Sequence, residues 1–313
     1  MSNLHVVAGA GPVGWTVAEQ LAAQGHRVRV LTRSGSGPTG PGIERTRVDV
    51  TDSRRVNDAL TGDDGASAVA VYMCTHGSAY RADVWERELP AAERVVLDAA
   101  ARHGAVVTFP ESLYSYSAPD RVMTETSPRD ADTGKRGVRR RLLTARAAHE
   151  VPTVSVVASD FFGPQVRNAI AGERMVPAVL AGRKPKALGS ADVPHSFTYV
   201  PDLAAAMIAA AADSGAWNTV LHAPTGPAVT QREMIAAFAQ AADVPMPRVG
   251  TIPAWTVRSG ALVNRDVKEL AEMLYQFTRP FVMDSTVTEQ RLGLSPTPLH
   301  RAAAATVAWW RAH

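Results

Sequence analysis

Three glycines near the start of the chain, Gly9, Gly11 and Gly14, have the spacing of a turn that holds a pyrophosphate. Gly9 permits the tight turn, Gly11 lets the backbone approach the phosphates, and Gly14 lets a helix pack close to a strand. Pro12 and Val13 complete the loop. The helix that follows offers N–H groups and the positive end of its dipole to the negative charge. Thr32, Arg33 and Ser34 stand about 20 residues on, where a site for an unphosphorylated ribose carries Asp or Glu. Here no carboxylate appears until Glu44. A guanidinium beside small hydroxyls suits a 2′-phosphate, because arginine makes bidentate charge-assisted contacts. The cofactor expected is NADP(H).

A second group of residues could move a proton. Tyr114 and Tyr116 follow the apolar run Ala105–Phe109, and Lys135 opens a basic stretch beyond them. A phenol of pKa about 10 acts as an acid or base at neutral pH only beside a cation, and Lys135 is the nearest candidate. Alternation along an extended segment puts Tyr114 and Tyr116 on opposite sides. One faces the chemistry and the other packs, and the residues leave open which. Thr75 and His76 follow the apolar run Ala68–Met73, at a strand end where ligands are met. Tyr80 and Trp85 come next and are expected to line a substrate pocket.

These residues need a scaffold, and the chain spells one. Leu4–Ala8 and Val28–Leu31 read as strands on either side of the glycine turn and its helix. Thr46–Val50 is a short strand and Arg54–Leu60 a helix. Ala68–Met73 is a continuous apolar run of the kind buried in parallel sheets. Val84–His103 is a long helix closed by Gly104, and Ala105–Phe109 a strand. Arg139–His149 reads as a helix that buries Leu142, Leu143, Ala145 and Ala147 and wets its arginines, and Thr153–Val157 as another strand. The alternation predicts a Rossmann-type α/β fold, a doubly wound parallel sheet. Residues 1–160 are expected to form the nucleotide domain, with 196–222 returning to it. The returning stretch is expected to hold a strand at Ser196–Val200 and a helix over Leu203–Ala212, and residues 161–195 and 223–313 to form a smaller substrate lobe with helices over Gln231–Ala242, Val257–Phe277 and Arg301–Arg311.

In this order the motifs resemble the extended short-chain dehydrogenase/reductases, the NAD-dependent epimerase/dehydratase family. The resemblance covers the glycine turn, the pair Asp49-Val50, the segment Pro110-Glu-Ser-Leu-Tyr-Ser-Tyr116, the turn Ala158-Ser-Asp-Phe-Phe-Gly-Pro164 and the element His195-Ser-Phe-Thr-Tyr-Val-Pro-Asp202. It implies that Asp49 and Val50 contact adenine, that Ser159 and Phe161 help hold the cofactor, and that Ser112 is the serine upstream of the proton donor. It places Phe162 and His195 near substrate. The family's Tyr-x-x-x-Lys pair is missing. Four residues after Tyr72, Tyr80, Tyr114, Tyr116, Tyr199 and Tyr275 stand His76, Val84, Ala118, Asp120, Leu203 and Arg279. By register the family's tyrosine falls at Thr133 and its lysine at Gly137. Catalysis, where present, is expected to use Ser112, Tyr114, Tyr116 and Lys135 instead.

Composition narrows the setting. A net charge of +3, from 33 basic and 30 acidic residues, is too mild for nucleic acid to be the expected partner. A single cysteine, Cys74, rules out a disulfide framework, and no spacing of histidines or carboxylates suggests a metal. No apolar run reaches the roughly 18 residues of a membrane span, and the opening strand is too short for a signal peptide. The expectation is a cytoplasmic monomer or homodimer acting on a small molecule. It is read as an NADP-dependent oxidoreductase, chiefly a reductase, on a carbonyl or hydroxyl compound. The alternatives are an epimerase, dehydratase or lyase without net redox change, and an NADP-binding sensor without turnover.

Overall fold

The computed structural model describes residues 3–313. In chain order it forms β1 (Leu4–Ala8), α1 (Pro12–Ala23), β2 (Arg27–Thr32), β3 (Ile43–Arg47), α2 (Ser53–Ala59), β4 (Ala70–Met73), α3 (Ala82–His103), β5 (Val106–Ser112), α4 (Gly134–Ala147) and β6 (Thr153–Ala158). Then come β7 (Asp160–Phe162), α5 (Val176–Leu180), β8 (Lys186–Leu188), β9 (Phe197–Tyr199), α6 (Val200–Ala212) and β10 (Thr219–His222). The chain ends with α7 (Gln231–Ala241), β11 (Gly250–Ile252), α8 (Ala254–Gly260), α9 (Arg265–Glu272), α10 (Thr286–Leu292) and α11 (Leu299–Ala312). No helix among the described residues is long and apolar enough to cross a membrane.

Two compact units share these elements. The first takes the chain through Ser115, then Ala131–Val157 and Leu203–Ala223. Its seven-stranded sheet runs β3-β2-β1-β4-β5-β6-β10, and β1 pairs in parallel with both β2 and β4. Strand order therefore reverses between β1 and β4, the switch point at which open α/β sheets bind ligands beyond their carboxyl ends. The inner strands β1, β4 and β6 are buried at every position, as expected where helices cover both faces of a parallel sheet. One core joins Val6 and Ala8 of β1 to Val71 and Met73 of β4, Val107 and Phe109 of β5, and Val96, Ala99 and Ala100 of α3. α3 ends where Gly104 adopts φ 66°, a left-handed conformation that costs glycine little.

The second unit takes Tyr116–Asp130, Ala158–Asp202 and Pro224–His313. β7 pairs in parallel with β9, and β8 with β11. Its core packs Met175, Val176 and Val179 against Met234, Ile235 and Phe238 of α7 and against Ala302, Ala303 and Val307 of α11. α7 starts at a capping box in which Thr230 and Glu233 satisfy each other's backbone N–H groups.

Three expectations shift. The strand around 196–200, expected to rejoin the nucleotide domain, aligns Phe197 with Asp160 in the second unit. The edge strand β3 lies earlier than Thr46–Val50, because its pairing with β2 (Thr32 opposite Arg47) needs backbone partners and no apolar pattern. The helix expected over Val257–Phe277 breaks into α8, α9 and a 3-10 turn at Leu274–Phe277. Between α8 and α9, Leu262 and Val263 are 87% and 90% exposed and find nothing to bury against. Asn264 then starts α9 afresh by accepting the Val267 N–H at 3.1 Å.

Candidate functional site

The three glycines of the first unit do three separable jobs. Gly9 has φ +99°, and a Cβ there would stand 2.8 Å from the Cys74 carbonyl oxygen. A Cβ on Gly14 would overlap the Gly9 carbonyl oxygen, so α1 could not sit this close to β1. A Cβ on Gly11 would meet nothing within 4 Å. That open space is what a pyrophosphate approaching the backbone requires. Pro12 starts α1, whose first turn has no side-chain cap, and the buried Val13 anchors it. Thr75 adjoins the turn, its backbone nitrogen 3.0 Å from the Cβ position of Gly9. The turn lies at the β1/β4 switch point and fits a dinucleotide.

The end of β2 is basic. Arg33 is exposed, and its carbonyl accepts the Arg47 Nε–H at 2.9 Å. The Arg47 carbonyl in turn accepts from Arg55 Nη1 at 3.4 Å. Arg33 alone is legible in the sequence; strand pairing and α2 add two more guanidinium side chains. Thr32 donates its hydroxyl to the Ser36 carbonyl at 2.8 Å, and the Ser34 and Ser36 hydroxyls lie 2.7 Å apart. Asp49 accepts the Thr51 N–H at 3.0 Å and its hydroxyl at 2.8 Å. These bonds, then the charge of Arg33, hold its carboxyl below the usual range. Val50 packs on the core beneath.

Beyond β4 and β5 an aromatic cluster assembles from three stretches of chain. Trp85, buried on α3, is its centre. The Tyr114 ring stacks parallel to it, centroids 6.2 Å apart, while Tyr80 and His76 meet it edge-on at 5.3 and 4.7 Å. The Tyr80 and Tyr114 hydroxyls are hydrogen-bonded at 2.7 Å. Lys135 is fully buried, its Nζ 4.8 Å from the Tyr80 ring centroid. The Arg139 guanidinium lies 4.8 Å from the Trp85 ring. His76 is exposed, yet the protein atoms packed around its ring, and then the Arg139 charge, lower its pKa to about 4. His76 is therefore a neutral ring at pH 7.

Beneath the cluster lie buried ion pairs. Arg146 holds Glu93 through two bonds of 2.8 and 2.6 Å, and Glu111 at 2.8 Å. Glu111 also accepts the Ser112 N–H at 2.8 Å and lies 3.5 Å from Arg139. The arginines of this helix were expected to be wet, with Leu142, Leu143, Ala145 and Ala147 buried. The buried face is instead Lys135, Val138, Arg139, Leu142 and Arg146, while Ala145 and Ala147 are exposed. The reason is that Glu93 and Glu111 compensate the guanidinium charges, and compensated charges can be buried. A Cβ on Gly137, the register position of the family's lysine, would overlap the Asp132 carbonyl oxygen. No side chain fits there. Thr133 is the exposed residue at which α4 begins.

Ser112, Tyr114, Lys135, Thr75, His76, Tyr80 and Trp85 thus share the first unit with the glycine turn. Tyr116 does not: Leu113–Ser115 is a 3-10 turn rather than an extended segment, and Tyr116 is buried in the second unit, where Arg129 Nη1 lies 3.5 Å from its hydroxyl. Ser159, Phe161, Phe162 and His195 also belong to the second unit. The Ser159 N–H donates to Thr198 at 3.0 Å. Phe161 is half-buried and Phe162 buried. His195, expected near substrate, is a core residue held by the Gln276 carbonyl at 3.0 Å and Asp160 at 2.9 Å, among Phe197, Phe277 and Phe281.

Residues 5–220 match the sequence profile of the NAD dependent epimerase/dehydratase family. The fold resembles that of the Bordetella bronchiseptica enzyme WbmH, solved with NAD+, with a TM-score of 0.77, 18% identity and 99% of each chain covered. It resembles UDP-glucose 4-epimerase of Thermotoga maritima, solved with UDP-glucose, with a TM-score of 0.75, 16% identity and 99% coverage of each chain. The protein gox2253 has a TM-score of 0.78 and 20% identity, over 100% of this chain and 99% of that one. No curated protein matches the chain.

Proposed function

From a chain that belongs to the NAD-dependent epimerase/dehydratase family, we propose an NADP-dependent oxidoreductase acting on a small carbonyl compound in the reductive direction. The observation that carries the reading is the Tyr80–Tyr114 hydroxyl pair beside buried Lys135, where β4 and β5 end. Gly9, Gly11, Pro12, Val13, Gly14 and Thr75 would hold the pyrophosphate half of the cofactor. Thr32, Arg33 and Ser34, joined by Arg47 and Arg55, would take the 2′-phosphate, and Asp49 and Val50 the adenine. When bound, the nicotinamide supplies a hydride.

The remaining work falls to this chain. One of the paired hydroxyls donates its proton to the substrate oxygen as the carbonyl becomes an alcohol, and the other holds the donor in place. The ammonium of Lys135 stabilises the tyrosinate left behind. Ser112, whose N–H and hydroxyl both donate to Glu111 at 2.8 and 3.3 Å, would turn its hydroxyl to the substrate oxygen on binding. The buried Trp85 ring, with Tyr114 stacked on it, forms an apolar backing to the hydroxyl pair.

The test is consumption of NADPH with a panel of small aldehydes and ketones, in the wild-type protein and in Tyr114→Phe and Tyr80→Phe. Turnover that falls in either variant while NADPH affinity holds supports the reading; a panel that never oxidises NADPH overturns it. A second reading, an epimerase or dehydratase without net redox change, draws on the family's description and on the epimerase among the similar folds. It predicts product from a sugar nucleotide with the cofactor unchanged at the end.

A further inference from the structure

The second unit holds a cavity of about 320 Å³ that the nucleotide reading does not use. That volume lies in the range of small-molecule sites. Its walls are apolar and stiff, with Phe162, Phe197 and Met234 set against Pro224, Pro296 and Pro298. Phe197 and Tyr199 point to the same side because they are two apart on β9, and Tyr199 lies in register with Phe162 of β7. Only three polar side chains line it: Tyr199, Asp202 and Thr297.

Those three leave specific capacity unused. Thr297 donates its N–H to one oxygen of Asp202 at 2.7 Å and its hydroxyl to the other at 2.7 Å. Each carboxylate oxygen can accept a second bond. Among the described residues the Tyr199 hydroxyl has no hydrogen-bond partner, and its ring meets Phe162 at 5.5 Å. Burial raises the pKa of Asp202, and burial followed by the charge of Asp202 raises that of Tyr199. The two polar ends are thus close enough to feel each other without being bonded.

We infer that this cavity binds a small hydrophobic ammonium compound, an alkyl or aryl primary amine, with its cation on Asp202 and its hydrocarbon among Phe162, Phe197 and Met234. A neutral hydrocarbon would cover a carboxylate with lone pairs still unfilled, and a carboxylate ligand would be repelled. An ammonium brings three donors, enough for both oxygens of Asp202 and the oxygen of Tyr199. The faces of Phe162 and Tyr199 also attract a cation. Asp202 serves the first turn of α6 as well, where negative charge is favoured, so the site adds a ligand to a charge the fold already keeps.

Calorimetry on the full chain with benzylamine, benzyl alcohol and phenylacetate tests this with neither cofactor nor turnover, so its failure is separate from failure of the oxidoreductase reading. Benzylamine should bind saturably and about tenfold or more tighter than benzyl alcohol, the scale of a charge-assisted bond, while phenylacetate should not bind. Asp202→Asn should bring benzylamine down to the level of benzyl alcohol. Val229→Trp, which fills the cavity from a half-buried wall position, should remove binding of both. Should Asp202→Asn melt early and fail to fold, Tyr199→Phe takes its place and should weaken benzylamine selectively. Equal binding of all three probes, no saturable binding, or undiminished benzylamine binding in Val229→Trp would overturn the assignment.

Discussion

The glycine turn and the aromatic cluster both lie where strands of one sheet end, yet they are built in different ways. The turn is local. Gly9, Gly11 and Gly14 lie within six residues of one another and work through backbone angles and close approaches, the one contact from farther along the chain being Cys74. The cluster is assembled from His76–Trp85, Ser112–Tyr114 and Lys135–Arg139, with ion pairs that reach across 53 and 35 residues to Glu93 and Glu111. A local device tolerates change at one position and fails at the next. A distributed device should instead lose function and stability by degrees.

The largest effects should come from the turn and should divide sharply. Gly11→Val points its side chain into open space, so the melting temperature should stay near that of the wild type while nucleotide binding disappears. Gly14→Val places atoms on the Gly9 carbonyl and should fail to fold. If both variants fold and both bind NADPH in calorimetry, the division of labour among the glycines is wrong.

In the cluster, replacing the tyrosine that gives up its proton by Phe should lower turnover by about 10²–10⁴, the scale for a positioned acid, with NADPH affinity barely changed. Thr133→Val should be nearly silent, because the register position of the family's tyrosine is here the exposed start of a helix. His76, neutral above about pH 4, should contribute no limb to the rate profile near pH 6.5, and His76→Phe should leave the profile's shape unchanged. A lost limb in that variant would give His76 a part in proton transfer.

The charges under the cluster should matter for folding. Arg146→Met takes the guanidinium from buried Glu93 and leaves buried Glu111 with Arg139 alone, and should cost about 3–5 kcal/mol in denaturant unfolding. Arg141→Met, also on α4, removes an exposed pair with Glu86 of α3 and should cost under about 1 kcal/mol. Equal costs would show that the buried pairs add nothing to the attachment of α4.

This contrast also explains what could be read in advance. The alternation of apolar runs predicts the parallel sheet, because burial on both faces leaves a pattern in the strands themselves. The turn is legible because only glycine satisfies Gly9 and Gly14. The inner face of α4 is not. A helix that buries Lys135, Arg139 and Arg146 beside Val138 and Leu142 has a misleading apolar pattern, and nothing nearby in sequence announces that Glu93 and Glu111 compensate the two guanidiniums. His195 differs in the opposite sense: the family resemblance places it near substrate, whereas Asp160 and the Gln276 carbonyl, far off in sequence, satisfy it in the core.

The smallest effect concerns the one part of the turn's neighbourhood that is itself distributed. Arg33 follows β2, Arg47 ends β3 and Arg55 lies on α2, joined by bonds from Arg47 Nε to the Arg33 carbonyl and from Arg55 Nη1 to the Arg47 carbonyl. With both backbone oxygens already accepting, the guanidinium of Arg33 remains exposed to meet a 2′-phosphate. Arg33→Ala should weaken NADPH by about 1–3 kcal/mol, the scale of a hydrogen bond between charged groups, and leave NADH unchanged. Arg47→Ala loses a charge and also a strut for the loop, so it should weaken both cofactors while penalising NADPH more. High salt should narrow the preference for NADPH, because the contact is exposed and screened. Equal losses for NADPH and NADH in Arg33→Ala would remove the basis for NADP and would class Arg33 with the ordinary solvated arginines of the surface.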